Sequence, residues 1–206
     1  MSARRRLVVS GDDFGAAPEV NAAIVRAHRE GILTSASLMV TGDAVDDAVA
    51  RARAHPRLAV GLHLVLVQGR PALPPREIPR IVTASGTFPE QPVLAGLRYA
   101  WLAVALPGGR DELKREIEAQ LRAFAATGLR LAHVDESYLL SVIETLPPGL
   151  NELYCHPADV QPAALARHQV GYDHAGEVAA LVSPRVRQAV EAAGIELVTY
   201  PDVVAS

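Results

Sequence analysis

Short apolar runs alternate along the chain with segments in which apolar residues recur every three or four positions. Residues 7–9 make the first apolar run, and a helical pattern with Val20, Ile24 and Ala27 on one side follows Pro18. Such alternation is typical of parallel β-strands joined by crossover helices. The pattern therefore predicts an α/β fold.

The same patterns predict elements along the rest of the chain. Proline is favoured at the first position of a helix and glycine just after its end, so the first helix is expected between Pro18 and Gly31, after a loop at 11–15. Further strands are predicted at 35–40, 58–67, 129–134, 151–155 and 195–200, and further helices at 45–52, 94–106, 111–127, 138–146 and 184–193. Residues 68–92 show neither period and are rich in proline, which predicts a long loop over one end of the sheet.

The helix at 111–127 has the clearest apolar stripe. Its members are Leu113, Ile117, Leu121 and Phe124. This spacing puts all four side chains on one face of a helix, and we expect that face to be buried. Gly128 follows as the expected end of the helix.

Composition and charge narrow the class of protein. The 206 residues are 50% hydrophobic and 21% charged with a formal net charge of -3, so neither a disordered chain nor a nucleic-acid surface is expected. A single domain over residues 1–206 can bury a substantial core at this length. One cysteine and the lack of a leader-like opening favour a cytoplasmic protein.

The segment 94–106 is the longest apolar stretch, but Arg98 interrupts it and Pro107 ends it. It is shorter than the ~20 apolar residues that a membrane span needs. We therefore expect a buried or half-buried helix. Tyr99 and Trp101 leave peripheral contact with a lipid surface open.

Residues that bind metals or transfer protons recur at four predicted strand ends. They are Asp12 and Asp13, His63 in the third strand, His133 with Asp135, and His156. Because the ends of parallel strands meet at one face of a sheet, we expect these side chains to lie close together. One aspartate with two histidines suits zinc or another divalent first-row metal and leaves positions open for water and substrate. That composition points to metal-assisted hydrolysis.

Each of these residues also has a structural interpretation. Asp12 and Asp13 can be a charge pair at the start of the following helix, stabilised by the helix dipole. The three histidines of the strand ends can be hydrogen-bonded core residues. The remaining histidines are expected on the solvated surface: His28, His55, His168 and His174. Cys155 is expected to be a buried strand residue and not a nucleophile.

Four stretches resemble a known family. They are Val-Ser-Gly-Asp-Asp-Phe-Gly at 9–15, Gly-Leu-His-Leu at 61–64, His-Val-Asp at 133–135 and Tyr-Cys-His-Pro at 154–157. With them the chain resembles the YdjC-like carbohydrate deacetylases. The order of the motifs and the Gly-Ile-Glu-Leu stretch at 194–197 resemble the hopanoid-biosynthesis-associated branch most closely.

The resemblance implies a TIM-barrel-like, distorted (β/α) barrel that removes acetyl groups from N-acetylated sugars with a divalent metal, zinc or magnesium. It implies that Asp13, His63 and His133 are the metal ligands and that Asp12 is the general base. It implies His156 as the acid near the leaving amine. In the hopanoid branch the substrate would be an N-acetylglucosaminyl lipid, with residues 99–101 as a lipid-facing lid.

The chain departs from the family pattern after Asp135. Further alternating histidines of the family would fall at Ser137, Leu139 and Ser141, and about two β/α units are missing before residue 150. We therefore expect a barrel that is incomplete, has fewer strands, or is completed in a homodimer. The shortening also supports a rival hypothesis, a non-catalytic paralogue that binds a metal or glycolipid as a pathway subunit. A third hypothesis keeps the metal hydrolase but changes the bond to an ester or phosphoester.

Overall fold

The computed structural model describes residues 5–105, 108–129, 149–160, 174–199 and 201–202. In chain order its elements are β1 (Arg5–Phe14), α1 (Pro18–Glu30), β2 (Ser35–Leu38), α2 (Val45–Ala54), β3 (Ala59–Leu62), a short 3-10 helix (Pro75–Glu77), α3 (Pro92–Ala105), α4 (Gly109–Ala126), β4 (Gly149–Cys155), α5 (His174–Leu181), α6 (Pro184–Ala192) and β5 (Ile195–Leu197). The helix predicted at 138–146, and the strand predicted at 129–134 beyond its first residue, lie outside the described residues.

The strands form one parallel sheet in the order β3-β2-β1-β4, with β5 pairing with the first residues of β1. Residues 7–14 of β1 are all buried, as expected for a strand that is covered on both faces. The predicted α/β class is confirmed. The closed or shortened barrel stays a prediction.

The end of β1 differs from the prediction. Residues 11–14 were expected in a loop, but they continue the strand as far as Phe14. Gly11 pairs with Ala36 and Phe14 pairs with Leu38, so an advance of three residues along β1 lies opposite an advance of two residues along β2. The extra residue makes a bulge, and Asp13 takes a left-handed backbone conformation there, with φ of 61°. An aspartate tolerates this conformation better than most residues do.

Helix α1 has the predicted bounds and the predicted buried face. It begins at Pro18, and Val20, Ile24 and Ala27 are among its buried residues. Gly31 follows its last residue, but a left-handed cap is not the reason, because the φ of Gly31 is -114°. A Cβ at position 31 would lie 2.3 Å from the carbonyl oxygen of Leu181. The close approach of α5 therefore requires glycine.

Strand β3 is shorter than predicted, and a long segment follows it. The strand ends at Leu62, whereas the sequence predicted a strand over 58–67. The segment from His63 to Gln91 contains only the short 3-10 helix among its regular elements. Its apolar side chains join Leu102 in a second core, whose buried members are Val65, Ile78, Ile81, Val82, Phe88 and Leu102.

Helix α3 covers this second core with one side and turns apolar residues outward with the other. Leu102 is buried, but the outward side chains are exposed: Val93, Leu94, Leu97 and Trp101. Among the described residues, no helix has both the length and the apolar character to cross a membrane.

Helix α4 buries a face that the sequence did not predict. Its buried side chains are Glu112, Glu116, Gln120 and Phe124, while Leu121, expected to be buried, is 42% exposed. Of the four residues in the predicted stripe, Phe124 is the one that is buried, whereas Leu113 and Ile117 are half-buried. The reason is that the segment after β3 brings backbone N–H groups against α4, and these need acceptors.

The polar face of α4 holds that segment by hydrogen bonds. Glu116 accepts the backbone N–H groups of Ala72 (2.8 Å) and Leu73 (3.0 Å) and one N–H of Gln120 (2.8 Å). Gln120 bonds both the N–H (2.9 Å) and the carbonyl (2.7 Å) of Val65. Val65 lies two residues after His63, so this contact fixes the segment next to a candidate site residue.

We predict that Glu116→Ala lowers the free energy of unfolding by about 2–4 kcal/mol, because it leaves three N–H donors without their acceptor. Glu118→Ala is the matched control on the same helix. The Glu118 side chain is 44% exposed, and its ion pairs among the described residues are with Lys114 and Arg122, so its loss should cost less than about 0.5 kcal/mol. Urea unfolding measures both. Equal midpoints for the two variants would contradict the role assigned to Glu116.

Candidate functional site

The candidate site lies at the carboxyl ends of the neighbouring parallel strands. Asp12 and Asp13 are at the end of β1, and His63 and His156 directly follow β3 and β4. The N–H of His63 donates to the carbonyl of Leu38 (2.9 Å), which continues the pairing of β2 and β3 by one step. The structure therefore brings Asp12, Asp13 and His63 together, as predicted.

Asp12 and Asp13 approach different nitrogens of the same imidazole ring. Asp12 Oδ2 lies 3.9 Å from His63 Nδ1, and Asp13 Oδ1 lies 3.7 Å from His63 Nε2. Neighbouring residues of an extended strand point in opposite directions, and the bulge at Asp13 turns the second carboxylate back toward the histidine. Both aspartates are 6% exposed.

Ser37 is a site residue that the motifs did not identify. Its hydroxyl donates a short hydrogen bond to Asp12 Oδ1 and lies 3.0 Å from His63 Nδ1. Ser37 is 2% exposed in the middle of β2. A signal was present in the sequence, because Ser35 and Ser37 put hydroxyls on one face of an otherwise apolar strand. Buried polar groups need partners, so such a face indicates a polar neighbour.

The surroundings of Asp12 shift its pKa upward. Burial raises the pKa of Asp12 above its ordinary value, and the charge of Asp13 acts in the same direction. The nearby His63, the hydrogen bond from Ser37 and the nearby His156 lower the pKa in part. A carboxylate with a raised pKa is a better proton acceptor, which suits a general base.

The turn after Asp13 is fixed from α1. Gly15 has a φ of +99°, and its N–H donates to Asn21 Oδ1 (2.7 Å). Asn21 is buried and its side-chain N–H groups donate to the carbonyl of Ala44 (3.0 Å) and to Asp47 (2.8 Å). The carboxyl end of β1 is therefore held in place by the Asn21 side-chain amide, which uses its oxygen and its nitrogen in hydrogen bonds.

His156 is held through its backbone. Its N–H donates to Glu177 (2.5 Å), and its carbonyl accepts a hydrogen bond from His174 Nδ1 (2.5 Å). The prediction of a solvated His174 is therefore wrong: this residue is 2% exposed, because it begins α5 with its ring bonded to the backbone of His156, directly after β4. Glu177 and His174 together fix the position of the candidate acid.

Cys155 is the buried strand residue that the sequence predicted. Burial raises the pKa of its thiol well above the ordinary value, and the thiol donates to the carbonyl of Ser10 (3.4 Å). A thiol in this state is a poor nucleophile at neutral pH.

The described residues fit part of a metal site. A carboxylate oxygen and an imidazole nitrogen are ligands that zinc accepts, and two ligands of one ion lie less than about 4 Å apart. Asp13 Oδ1 and His63 Nε2 meet this condition at 3.7 Å. Two adjacent buried carboxylates also favour a cation nearby. Within the described ranges no group of three or more such ligands is found, and the predicted third ligand, His133, lies outside them together with Asp135.

The family model that matches this chain is that of the YdjC-like proteins, over residues 6–137. The chain belongs to the YdjC-like family. The matched range contains Asp12, Asp13, His63 and His133, whereas His156 lies beyond it.

Curated relatives of this YdjC-like chain are named carbohydrate deacetylases. The one from Brevibacillus brevis is 41% identical over 133 residues, which are 65% of this chain and 49% of the relative. The one from Geobacillus stearothermophilus is 36% identical over 135 residues, again 65% and 49%. The chain thus spans about half the length of the curated relatives that it matches.

A solved structure supports the fold. It is a proposed cellobiose-phosphate cleavage protein of Enterococcus faecalis V583, with a TM-score of 0.82, 24% sequence identity, and coverage of 98% of this chain and 99% of that one. At this identity the likeness concerns the fold alone.

Tyr99 of α3 faces the protein and not the solvent. Its hydroxyl donates to the carbonyl of Leu66 (2.7 Å), three residues after His63, and lies 3.2 Å from the carbonyl of Ile81. Trp101 is 58% exposed. Helix α3, which the resemblance suggested as a lid, is therefore attached by Tyr99 to the segment that follows His63.

We predict that Tyr99 ionises later than an ordinary tyrosine, because burial raises the pKa of its phenol from 10.0 to about 12. A phenol whose folded-state pKa is raised stabilises the fold below pH 10.0, and this contribution is lost as the pH rises toward about 12. The difference between the ultraviolet titration curves of the wild type and of Tyr99→Phe measures the ionisation of the Tyr99 phenol. A difference spectrum with a midpoint near pH 10.0 would refute the buried, hydrogen-bonded position.

Proposed function

We propose that this YdjC-like chain is a metal-dependent hydrolase that removes an acetyl group from an N-acetylated sugar. The observation that carries the proposal is the position of Asp12 and Asp13 beside the two nitrogens of the His63 imidazole, at the carboxyl ends of the strands. These residues lie in the matched range, and the relatives that match it are named carbohydrate deacetylases.

In this proposal Asp13, His63 and His133 hold a divalent ion, zinc or magnesium. The ion would supply polarisation of the acetyl carbonyl and a lowered pKa of a water molecule. Asp13 and His63 contribute an oxygen and a nitrogen that face each other. Asp12 and Asp13 are adjacent buried carboxylates, and a cation stabilises such a pair.

Asp12 is the proposed general base. Its raised pKa lets it accept a proton from the attacking water, and its Oδ1 is already occupied by Ser37. The proton would therefore go to Oδ2. His156 is the proposed acid for the departing amine, and it is among the groups that lower the pKa of Asp12 in part. Glu177 and His174 hold His156 in position through its backbone.

The specific substrate that we propose is an N-acetylglucosaminyl lipid of the hopanoid type. Its support is the family resemblance together with the apolar outward face of α3, formed by Val93, Leu94, Leu97 and Trp101. That helix is joined through Tyr99 to the segment after His63, so a lipid tail bound to its outward face would lie on an element attached to that segment.

A non-catalytic role is the second candidate, because the sequence departs from the family pattern after Asp135, with Ser137, Leu139 and Ser141 where further histidines of the family would fall. Such a protein would bind the metal or the glycolipid without turnover.

We predict that Asp13→Ala and His63→Ala each weaken the binding of Zn²⁺ to metal-stripped protein by at least about 100-fold, because each removes a direct ligand. His55→Ala is the control. His55 is half-buried, and its Nδ1 bonds to the carbonyl of Arg51. It lies between α2 and the amino end of β3, whereas His63 follows the carboxyl end of that strand, so affinity should not change. Calorimetric titration measures all four proteins. Unchanged affinity in Asp13→Ala or His63→Ala would refute the assigned ligands.

We predict that Asp12→Asn reduces acetate release by about 10²–10⁴-fold while the protein still binds the metal, because it removes the base and not a direct ligand. The substrates to compare are short N-acetylglucosamine oligomers and an N-acetylglucosaminyl lipid analogue. Binding of these compounds by wild type without any acetate release would favour the non-catalytic candidate. Faster turnover of the oligomers than of the lipid would refute the lipid substrate.

A further inference from the structure

We infer that Ser37 is a positioning residue that decides which nitrogen of His63 carries the proton. The consequence for metal binding rests on the proposed function, since it takes His63 as a ligand. The proton assignment itself rests only on the hydrogen bonds of the described residues.

The assignment follows from counting protons. A serine hydroxyl has one proton to donate and lone pairs to accept with. The Ser37 hydroxyl donates its proton to Asp12 Oδ1. The 3.0 Å contact between Ser37 Oγ and His63 Nδ1 is then a hydrogen bond only if Nδ1 carries the proton and donates it. In the neutral ring Nε2 is therefore the nitrogen with a free lone pair.

That choice prepares the ring for a ligand on the side of Asp13. His63 Nε2 lies 3.7 Å from Asp13 Oδ1, so the lone pair of the ring and the Asp13 carboxylate are close enough to bind the same ion. A neutral imidazole binds a metal through its unprotonated nitrogen, and the hydrogen bond of the other nitrogen sets which one that is. A histidine in water mostly carries its proton on Nε2, which would block this side.

The same hydroxyl also orients the proposed base. It holds Asp12 Oδ1, and Oδ2 remains 3.9 Å from His63 Nδ1. Histidine ligands commonly donate their other N–H to a carboxylate, which orients the ring and raises its basicity. Here the carboxylate acts on the ring through an inserted hydroxyl. One side chain therefore couples the base to the ligand.

Burial and strand pairing fix the position of Ser37 in β2. Ser37 is 2% exposed and its Cα pairs with Gly61 of β3, two residues before His63. Ser35 lies on the same face of the same strand and is fully buried, but its hydroxyl has no hydrogen-bond partner among the described residues. It is a matched control, because Ser35→Ala removes the same atom from the same strand away from the site.

The test is ¹⁵N NMR of the His63 ring in metal-free protein at about pH 9, well above the ordinary pKa of histidine. We expect the proton on Nδ1 in the wild type and in Ser35→Ala, and a shift toward Nε2 in Ser37→Ala. Ser37→Thr keeps the hydroxyl and should restore the wild-type pattern. Urea unfolding shows that each variant is folded. A proton on Nε2 in the wild type, or an unchanged pattern in Ser37→Ala, would overturn the inference.

Zn²⁺ titration of the same proteins gives the second readout. We expect Ser37→Ala to bind about 10- to 100-fold more weakly than the wild type, as is usual when the partner of a histidine ligand is lost. Ser35→Ala and Ser37→Thr should bind as the wild type does. If the wild type binds no Zn²⁺ while the ring pattern responds to Ser37→Ala, the proposed function fails and the proton assignment stands. Full affinity in Ser37→Ala would overturn the role of Ser37 in metal binding.

Discussion

The bulge at the end of β1 is the constraint on which the candidate site depends. One extra residue relative to β2 is accommodated between Gly11 and Phe14, and the left-handed Asp13 absorbs it. Without it, two consecutive strand residues would point to opposite faces of the sheet. With it, both carboxylates reach the two nitrogens of His63. The local cost of this backbone is offset by the paired strands on both sides of β1.

Buried polar groups, more than apolar packing, determine the surroundings of the site. Ser37 connects Asp12 with His63, and Asn21 fixes the turn at Gly15. Gln120 binds the backbone two residues after His63. Each of these side chains is satisfied by partners distant in sequence, and a satisfied polar network specifies one arrangement because its alternatives leave donors unpaired.

Much of this was predictable from periodicity and motifs. The α/β class, α1, β4 and the meeting of Asp12, Asp13 and His63 follow from patterns that local spacing controls. The buried face of α4 was mispredicted because apolar spacing does not register the backbone donors of a distant segment that select Glu116 and Gln120. The roles of Ser37 and His174 depend on partners in other elements: Ser37 contacts the side chains of Asp12 and His63, and His174 contacts the backbone of His156. His133 and the closure of the barrel stay predictions.

A crystal structure of the chain with Zn²⁺, with anomalous scattering to locate the ion, would show whether Asp13 and His63 bind a metal together. This ligand assignment predicts an ion between Asp13 Oδ1 and His63 Nε2, about 2 Å from each, with Ser37 still bridging Asp12 and His63 Nδ1. An ion bound through His63 Nδ1, or bound without Asp13, would contradict it.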